Sequence, residues 1–240
     1  VTSEAAALGA LLVAGHALGD FVFQTGWMVR HKSRPSGLLA HGAVVATCHA
    51  AMLVPFAGLA AGLAVLGVAA AHVLVDAGKT ALSARAPRLD LEWFLADQAV
   101  HVGVIAAAWA WLAPRAALFD PSIADPGTLR ATGVLVAAYA FNVNGASSLV
   151  VAVLERCRIA ARDAGPSAGR VVGILERMLA LTLLLQDKWE ALGLLVAAKS
   201  LARFRDLDER ARAEYYLVGT LLSLLGATVT VLIVRAVLAG

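Results

Sequence analysis

LAAGLAVLGVAAAHVLVDAG, residues 59–78, is a run of twenty residues whose only ionisable side chains are His72 and Asp76. A helix of about 20 apolar residues spans the hydrocarbon core of a bilayer. Ionisable groups inside such a span are costly, so they are usually paired and usually functional. A spacing of four puts His72 and Asp76 on one face of the helix. The same combination recurs in two other apolar runs, as His16/Asp20 and Asp97/His101.

The rest of the chain has the same character. Of its 240 residues, 60% are hydrophobic and 15% charged, against about 45–50% and about 25% in soluble domains. The mean hydropathy is +0.77. This composition predicts an all-α, polytopic transmembrane helical bundle. The formal net charge of +3 predicts no nucleic-acid partner, because excess Lys and Arg in a membrane protein usually report topology. The cysteines, Cys48 and Cys157, imply no disulfide framework. The N-terminal run lacks a basic segment before it and reads as a retained first span.

Apolar runs of spanning character fall at about eight places: 4–24, 38–56, 58–78, 92–113, 128–154, 170–186, 189–203 and 214–238. They suit one membrane domain, 1–240, with a His/Asp-bearing four-helix half at 1–113 and a C-terminal helical half at 114–240. Small-xxx-small patterns at Gly58/Gly62 and Gly169/Gly173 are candidate close-packing sites.

Basic residues alternate between the connections. Arg30, Lys32 and Arg34 lie in the first, Lys79, Arg85 and Arg88 in the third, Arg156, Arg158, Arg162 and Arg170 in the fifth, and Lys199, Arg203, Arg205, Arg210 and Arg212 in the seventh. The positive-inside rule then puts both termini outside and these connections in the cytoplasm, with the chain multi-pass in the membrane. Under that orientation spans one and three run inward and span four outward. The reversed order of Asp97 and His101 restores a common arrangement, Asp nearer the cytoplasm and His about 6 Å deeper. Span two adds His41 near its cytoplasmic start and His49 about two turns deeper.

Mixed His and carboxylate side chains from facing helices are how helical bundles hold metals. His16, Asp20, His72, Asp76, Asp97 and His101 form the candidate ligand pool for a divalent metal, with Zn, Mn or Fe suited to such donors. His41 is the candidate general base or a further ligand. A metal-bound water is a nucleophile near neutral pH, so hydrolysis of a phosphoester or lipid-linked substrate at the cytoplasmic face is the leading expectation. Gln24, Arg30, Lys32 and Lys79 are candidate groups for substrate, and membrane lipid and an anionic headgroup are the candidate partners. A proton-coupled transporter or ion pathway uses the same residues differently. A non-catalytic membrane scaffold needs them only for stability, each Asp holding its His.

Weaker signals lie further on. Asn142 and Asn144 interrupt an apolar run, which fits an irregular helix or interhelical hydrogen bonding. Glu176 inside a span calls for a cationic partner, Lys199 or Arg203. Trp27, Trp93, Trp109, Trp111 and Trp189 fall near span ends, as an aromatic belt does. The stretch 198–216 reads as a surface amphipathic helix or solvated connector.

The segments HALGDFVFQTGWMVRHKSR (16–34), AHVLVDAGKTAL (71–82) and FLADQAVHVGVI (94–105) resemble the successive blocks of a bacterial membrane-protein family, domain of unknown function 3307. The resemblance covers about the first half of the chain and includes His16, Asp20, Gln24, His41, His72, Asp76, Asp97 and His101. GRVVGILERMLALTLLL (169–185), ALGLLVAAKSLARF (191–204) and RAEYYLVGTLLSLL (212–225) resemble the C-terminal half of longer members. The resemblance implies the span pattern and no particular reaction.

Overall fold

The computed structural model describes residues 1–56, 58–86, 90–118, 120, 122–157, 168–202 and 210–239. Arg88, Arg158, Arg162, Arg203 and Arg205 lie outside the described residues, as does the middle of the 198–216 stretch. Every regular element among the described residues is helical. The α-helices are α1 (Ser3–Phe21), α2 (Gly26–Arg30), α3 (Pro35–Met52), α4 (Leu59–Ser83), α5 (Asp90–Leu112), α6 (Pro126–Ala140), α7 (Ala146–Arg156), α8 (Ala168–Leu185), α9 (Trp189–Ala202) and α10 (Arg210–Ala239).

Each of the eight apolar runs lies on a helix. Among the described residues, five helical stretches are long and apolar enough to cross a membrane: Ser3–Phe21, Leu59–Ser83, Asp90–Arg115, Pro126–Arg156 and Ala213–Ala239. The remaining runs, on α3, α8 and α9, have 18, 18 and 14 helical residues.

The chain divides into two compact units, Val1–Phe141 and Asn142–Gly240. In the first, α1 packs on α3, α3 on α4, α4 on α5 and α5 back on α1, closing a four-helix ring, with α6 laid along the outside of α1. Local signals start these helices. The Thr2 hydroxyl accepts from the Ala5 amide, Pro35 opens α3, and Asp125 caps α6 through the Thr128 amide at 2.9 Å, with Pro126 behind it. The turn before α4 is set by Gly58, whose φ of 147° a side chain would oppose.

α1 is the central helix. Within its most apolar 18-residue window 61% is buried, against 17–28% for the other four spanning candidates. Its neighbours approach closely because it offers no side chain where they cross. A Cβ on Gly15 would sit 3.0 Å from the His49 Cα, and one on Gly19 would sit 3.0 Å from Val45 Cγ2 and 3.3 Å from the Val45 Cα. Gly15 and Gly19 are therefore the small-xxx-small pair that seats α3. Nothing lies within 4 Å of a Cβ placed at Gly62 or Gly169.

The ring has two chemically distinct ends. Leu8, Leu11, Leu12, Val65, Val68, Ile105 and Leu112 fill one with an apolar core. There the Trp109 indole N–H donates to the Ala5 carbonyl at 2.7 Å, tying α5 to the start of α1. The other end, reached by the later turns of α1 and α4 and the earlier turns of α3 and α5, holds His16, Asp20, His41, His72, Asp76, Asp97 and His101, while His49 lies on the last turn of α3.

In the second unit α10 packs against α7 and α8, and α8 against α9. The two asparagines mark a π-helical turn, Phe141–Gly145, which joins α6 to α7. Such a turn breaks the regular carbonyl ladder. Arg177, buried on α8, repairs it: Nε donates to the Asn142 carbonyl at 2.9 Å, and Nη2 to the Val143 carbonyl at 3.2 Å and to the Ser147 hydroxyl. Asn142 Nδ2 donates to the Thr230 hydroxyl on α10 at 3.2 Å. Glu176 pairs with Lys199. Arg177→Met removes the charged donor from two carbonyls and is expected to cost about 3–6 kcal/mol, since hydrogen bonds to charged groups are worth about 1.5–3 kcal/mol each. A detergent-unfolding titration equal to wild type would count against this bracing role.

Candidate metal centre

The polar end of the ring is built by four helices, each contributing on its inward face. α1 supplies His16 and Asp20, α3 supplies His41 and, on its last turn, His49, α4 supplies His72 and Asp76, and α5 supplies Asp97 and His101. The i,i+4 spacing keeps each Asp/His pair on one inward face, and the closed ring brings those faces together. All but Asp20 have a relative exposure of 7% or less, and the Asp20 side chain is only 10% exposed.

The tightest part involves Asp20, His41, His72 and Asp76. His41 Nε2 and His72 Nε2 are 2.9 Å apart. Each lies 3.2 Å from Asp20 Oδ1. Asp76 Oδ2 is 3.4 Å from His41 Nε2 and 3.6 Å from His72 Nε2. No donor is in line with Asp20 Oδ1 despite both imidazoles beside it. Bonds of about 2.1 Å to one ion would place ligand atoms about 3.0–3.4 Å apart, and the five separations here scatter around that interval. Two neutral imidazoles whose Nε2 lone pairs face each other would repel, so this contact needs a proton or a cation between them.

The tautomers of two more histidines follow from their partners. His101 Nδ1 lies 2.9 Å from the Asp97 carbonyl, and His49 Nδ1 lies 2.9 Å from the Val45 carbonyl. A carbonyl only accepts, so Nδ1 carries the hydrogen in both and Nε2 is left as a lone pair. Both Nε2 atoms are buried without a hydrogen-bond partner, as is His16 Nε2. A histidine whose outer nitrogen is anchored on an acceptor, with the other bare, is arranged as metal-binding histidines are.

Among the described residues, three groups are close enough to hold a metal ion: His16, Asp20 and His101; Asp20, His41 and His72; and His72, Asp76 and His101. The ligand atoms in each lie within 4.8 Å of one another. They overlap through Asp20, His72 and His101, so six residues form one connected pool.

Two lysines close the cluster. Lys32 Nζ is 2.8 Å from Asp76 Oδ2, and Lys79 Nζ is 2.8 Å from Asp97 Oδ2. Their side chains are 21% and 30% exposed, which places the mouth of the cluster at its aspartate end. Asp97 also accepts from Gln98 Nε2 at 3.2 Å and has Oδ1 3.5 Å from His101 Nδ1. It thus stands behind His101 and outside the three groups. His41, from the sequence a base or a ligand, sits inside the tightest one. Gln24 has its amide nitrogen buried without a hydrogen-bond partner, while Arg30 is exposed on α2. The lysine–aspartate pairing has no sequence signature, because it links the turn before α3 to α4, and α4 to α5. His49 has only its spacing from His41 to suggest it.

Asp20, Asp76 and Asp97 bring three negative charges and Lys32 and Lys79 two positive ones. With neutral imidazoles the cluster carries a net −1, which a proton on one imidazole or a bound cation would balance in a low-dielectric interior.

Residues 8–120 match the model of the family described as "Protein of unknown function (DUF3307)". No curated protein and no solved structure matches the chain. The matched stretch contains every histidine and aspartate of the cluster, together with Lys32 and Lys79.

Proposed function

We propose that the DUF3307 domain carried by residues 8–120 is a membrane-embedded metal site, and that the chain is a multi-pass inner-membrane hydrolase of a phosphoester or lipid-linked substrate. The observation that carries this reading is the convergence of Asp20, His41, His72 and Asp76, with separations of 2.9–3.6 Å. Five helices long and apolar enough to cross a membrane support the setting. So do large apolar side chains left on the outside, such as Leu66, Leu74, Leu221 and Leu232, each more than 60% exposed, which lipid would cover. We take all eight apolar helices as spans or part-spans, with both termini outside and the lysine mouth facing the cytoplasm.

In this scheme Asp20, His41, His72 and Asp76 would hold a divalent ion, Zn, Mn or Fe, which would supply Lewis acidity and an activated water. Water oxygen attacks phosphorus, the P–O bond to the alcohol breaks, and a proton of the water passes to the leaving alkoxide. Lys32 and Lys79 exchange their aspartate partners for the substrate's anionic oxygens, which gives the basic mouth a role in binding a headgroup phosphate. Gln24 and Arg30 extend that surface.

A second reading has its own observation. The rings of His41, His72, His101 and His16 follow one another with centroid separations of 4.8, 4.2 and 5.1 Å, a continuous file suited to proton transfer. It predicts pH-dependent flux in liposomes and no stoichiometric metal.

Elemental analysis of the chain purified in mild detergent without chelator separates the two. The metal reading expects transition metal at one equivalent per chain or more, lost from the His72→Ala/Asp76→Ala double variant while its helical circular dichroism is retained. A metal-free wild type that takes up no Zn, Mn or Fe on incubation would sink it and shift weight to the proton pathway.

A further inference from the structure

We infer that the centre holds two divalent ions bridged by the Asp20 carboxylate, an assignment that rests on the metal reading above and adds a second site to it. The two oxygens of Asp20 face different donors. Oδ1 is 3.2 Å from both His41 Nε2 and His72 Nε2. The contact between Asp20 and His16 is instead made by Oδ2, which lies 3.9 Å from His16 Nε2. That distance is too long for a hydrogen bond and leaves room for an ion between the two atoms.

His101 completes the second set. Its ring stacks on that of His16, with centroids 5.1 Å apart and planes 25° from parallel, and its donor atom lies within 4.8 Å of those of His16 and Asp20. Both nitrogens that would ligate, His16 Nε2 and His101 Nε2, are buried without a hydrogen-bond partner. The histidines are themselves only 6% and 2% exposed. The His101 nitrogen is a lone pair, because Nδ1–H is spent on the Asp97 carbonyl. The nearby carboxylates cannot satisfy it, since an ionised carboxylate only accepts. A cation is the partner that answers a lone pair, a carboxylate oxygen and a second imidazole together. One ion on the Asp20–His41–His72 set would leave these two nitrogens as they are.

Paired metals about 3.5–4 Å apart serve in-line displacement at phosphorus, one stabilising the attacking oxygen and the other the leaving oxygen. The second site therefore narrows the substrate from hydrolysable esters in general to phosphoesters.

The test is reconstitution of the full chain in detergent with Mn(II). Metal per chain and the electron paramagnetic resonance spectrum are read for the wild type and for His16→Gln/His101→Gln. Two equivalents in the wild type with an exchange-coupled spectrum, falling to one equivalent and an isolated-ion spectrum in the variant, is the expected result. One equivalent with an isolated-ion spectrum in the wild type overturns the second site and leaves the first standing. No bound manganese, zinc or iron in the wild type overturns both. The wild-type spectrum decides the nuclearity even if the variant fails to fold.

Discussion

Asp20→Asn is expected to remove the proposed metal while leaving the fold intact, with metal content at background and affinity lower by a factor of about 100 or more. The replacement is isosteric, so packing around the 10%-exposed side chain is preserved. What changes is the donor set. Asp20 Oδ1 is common to His41 and His72, and the same residue belongs to the group with His16 and His101. The asparagine loses a negative charge and turns one oxygen into an N–H donor aimed at imidazole nitrogens. That donor satisfies a lone pair the wild type leaves to a cation, so the metal-free variant is expected to be at least as heat-stable as metal-free wild type. Asp97→Asn is the control. Asp97 stands behind His101 and pairs with Lys79. Its loss should weaken metal by the factor of about 10–100 typical of groups that orient a ligand. Calorimetric titration with Zn(II) and differential scanning of both variants supply the comparison. Equal affinities for Asp20→Asn and wild type would remove Asp20 from any metal site.

The linkage runs in the other direction as well. An ion that binds the folded centre and not the unfolded chain stabilises the protein by about 2.7 kcal/mol at a hundredfold excess over its dissociation constant. Chelator should therefore lower the unfolding temperature of wild type, and it should leave Asp20→Asn where it was.

Much of this arrangement was legible before any coordinates. The runs around His16, His72 and His101 gave helices because they are long, apolar and unbroken, and the fourfold spacing of each Asp/His pair put both groups on one face. The ring that joins those faces was not legible, since which helices touch depends on contacts between α1, α3, α4 and α5 that no local pattern encodes. Nor were the lysine partners: Lys32 and Lys79 read as topology signals in a basic connection, and only the fold brings them onto Asp76 and Asp97. The glycines carry the same lesson. Gly58/Gly62 has the spacing of a packing motif, yet Gly62 has open space where a side chain would go, while Gly15 and Gly19 have the backbone or side chain of α3 against them. The spacing is shared by both pairs, and the partner helix distinguishes them. The asparagine-rich interruption at 142–145 was visible as irregular. That it is a π-helical turn whose carbonyls are held by Arg177 depends on a residue more than thirty positions away.

The steric reading of the glycines yields the second large effect, at a position remote from the metal. Gly133→Ala is expected to destabilise the protein by about 3 kcal/mol, a fall of roughly 6–12 °C in Tm for a chain of this size. The added Cβ would lie 2.7 Å from the carbonyl carbon of Ala10, 2.9 Å from its oxygen and 2.9 Å from the Leu11 nitrogen. Those atoms are backbone, so no rotamer change relieves the clash; α6 or α1 has to move. α1 is the central helix of the ring and carries His16 and Asp20 two turns further on, so a shift large enough to admit the methyl group also displaces the metal donors. Metal affinity should fall with stability, although Gly133 touches no ligand. Gly62→Ala is the matched control, with nothing within 4 Å of the new methyl group. There the helix gains about 0.5–1 kcal/mol from losing a glycine in its interior, and metal binding stays at the wild-type level. Thermal unfolding and metal titration of the pair separate close helix approach from general glycine chemistry: if both substitutions shift Tm alike, the α1–α6 approach is not what holds α1 in place.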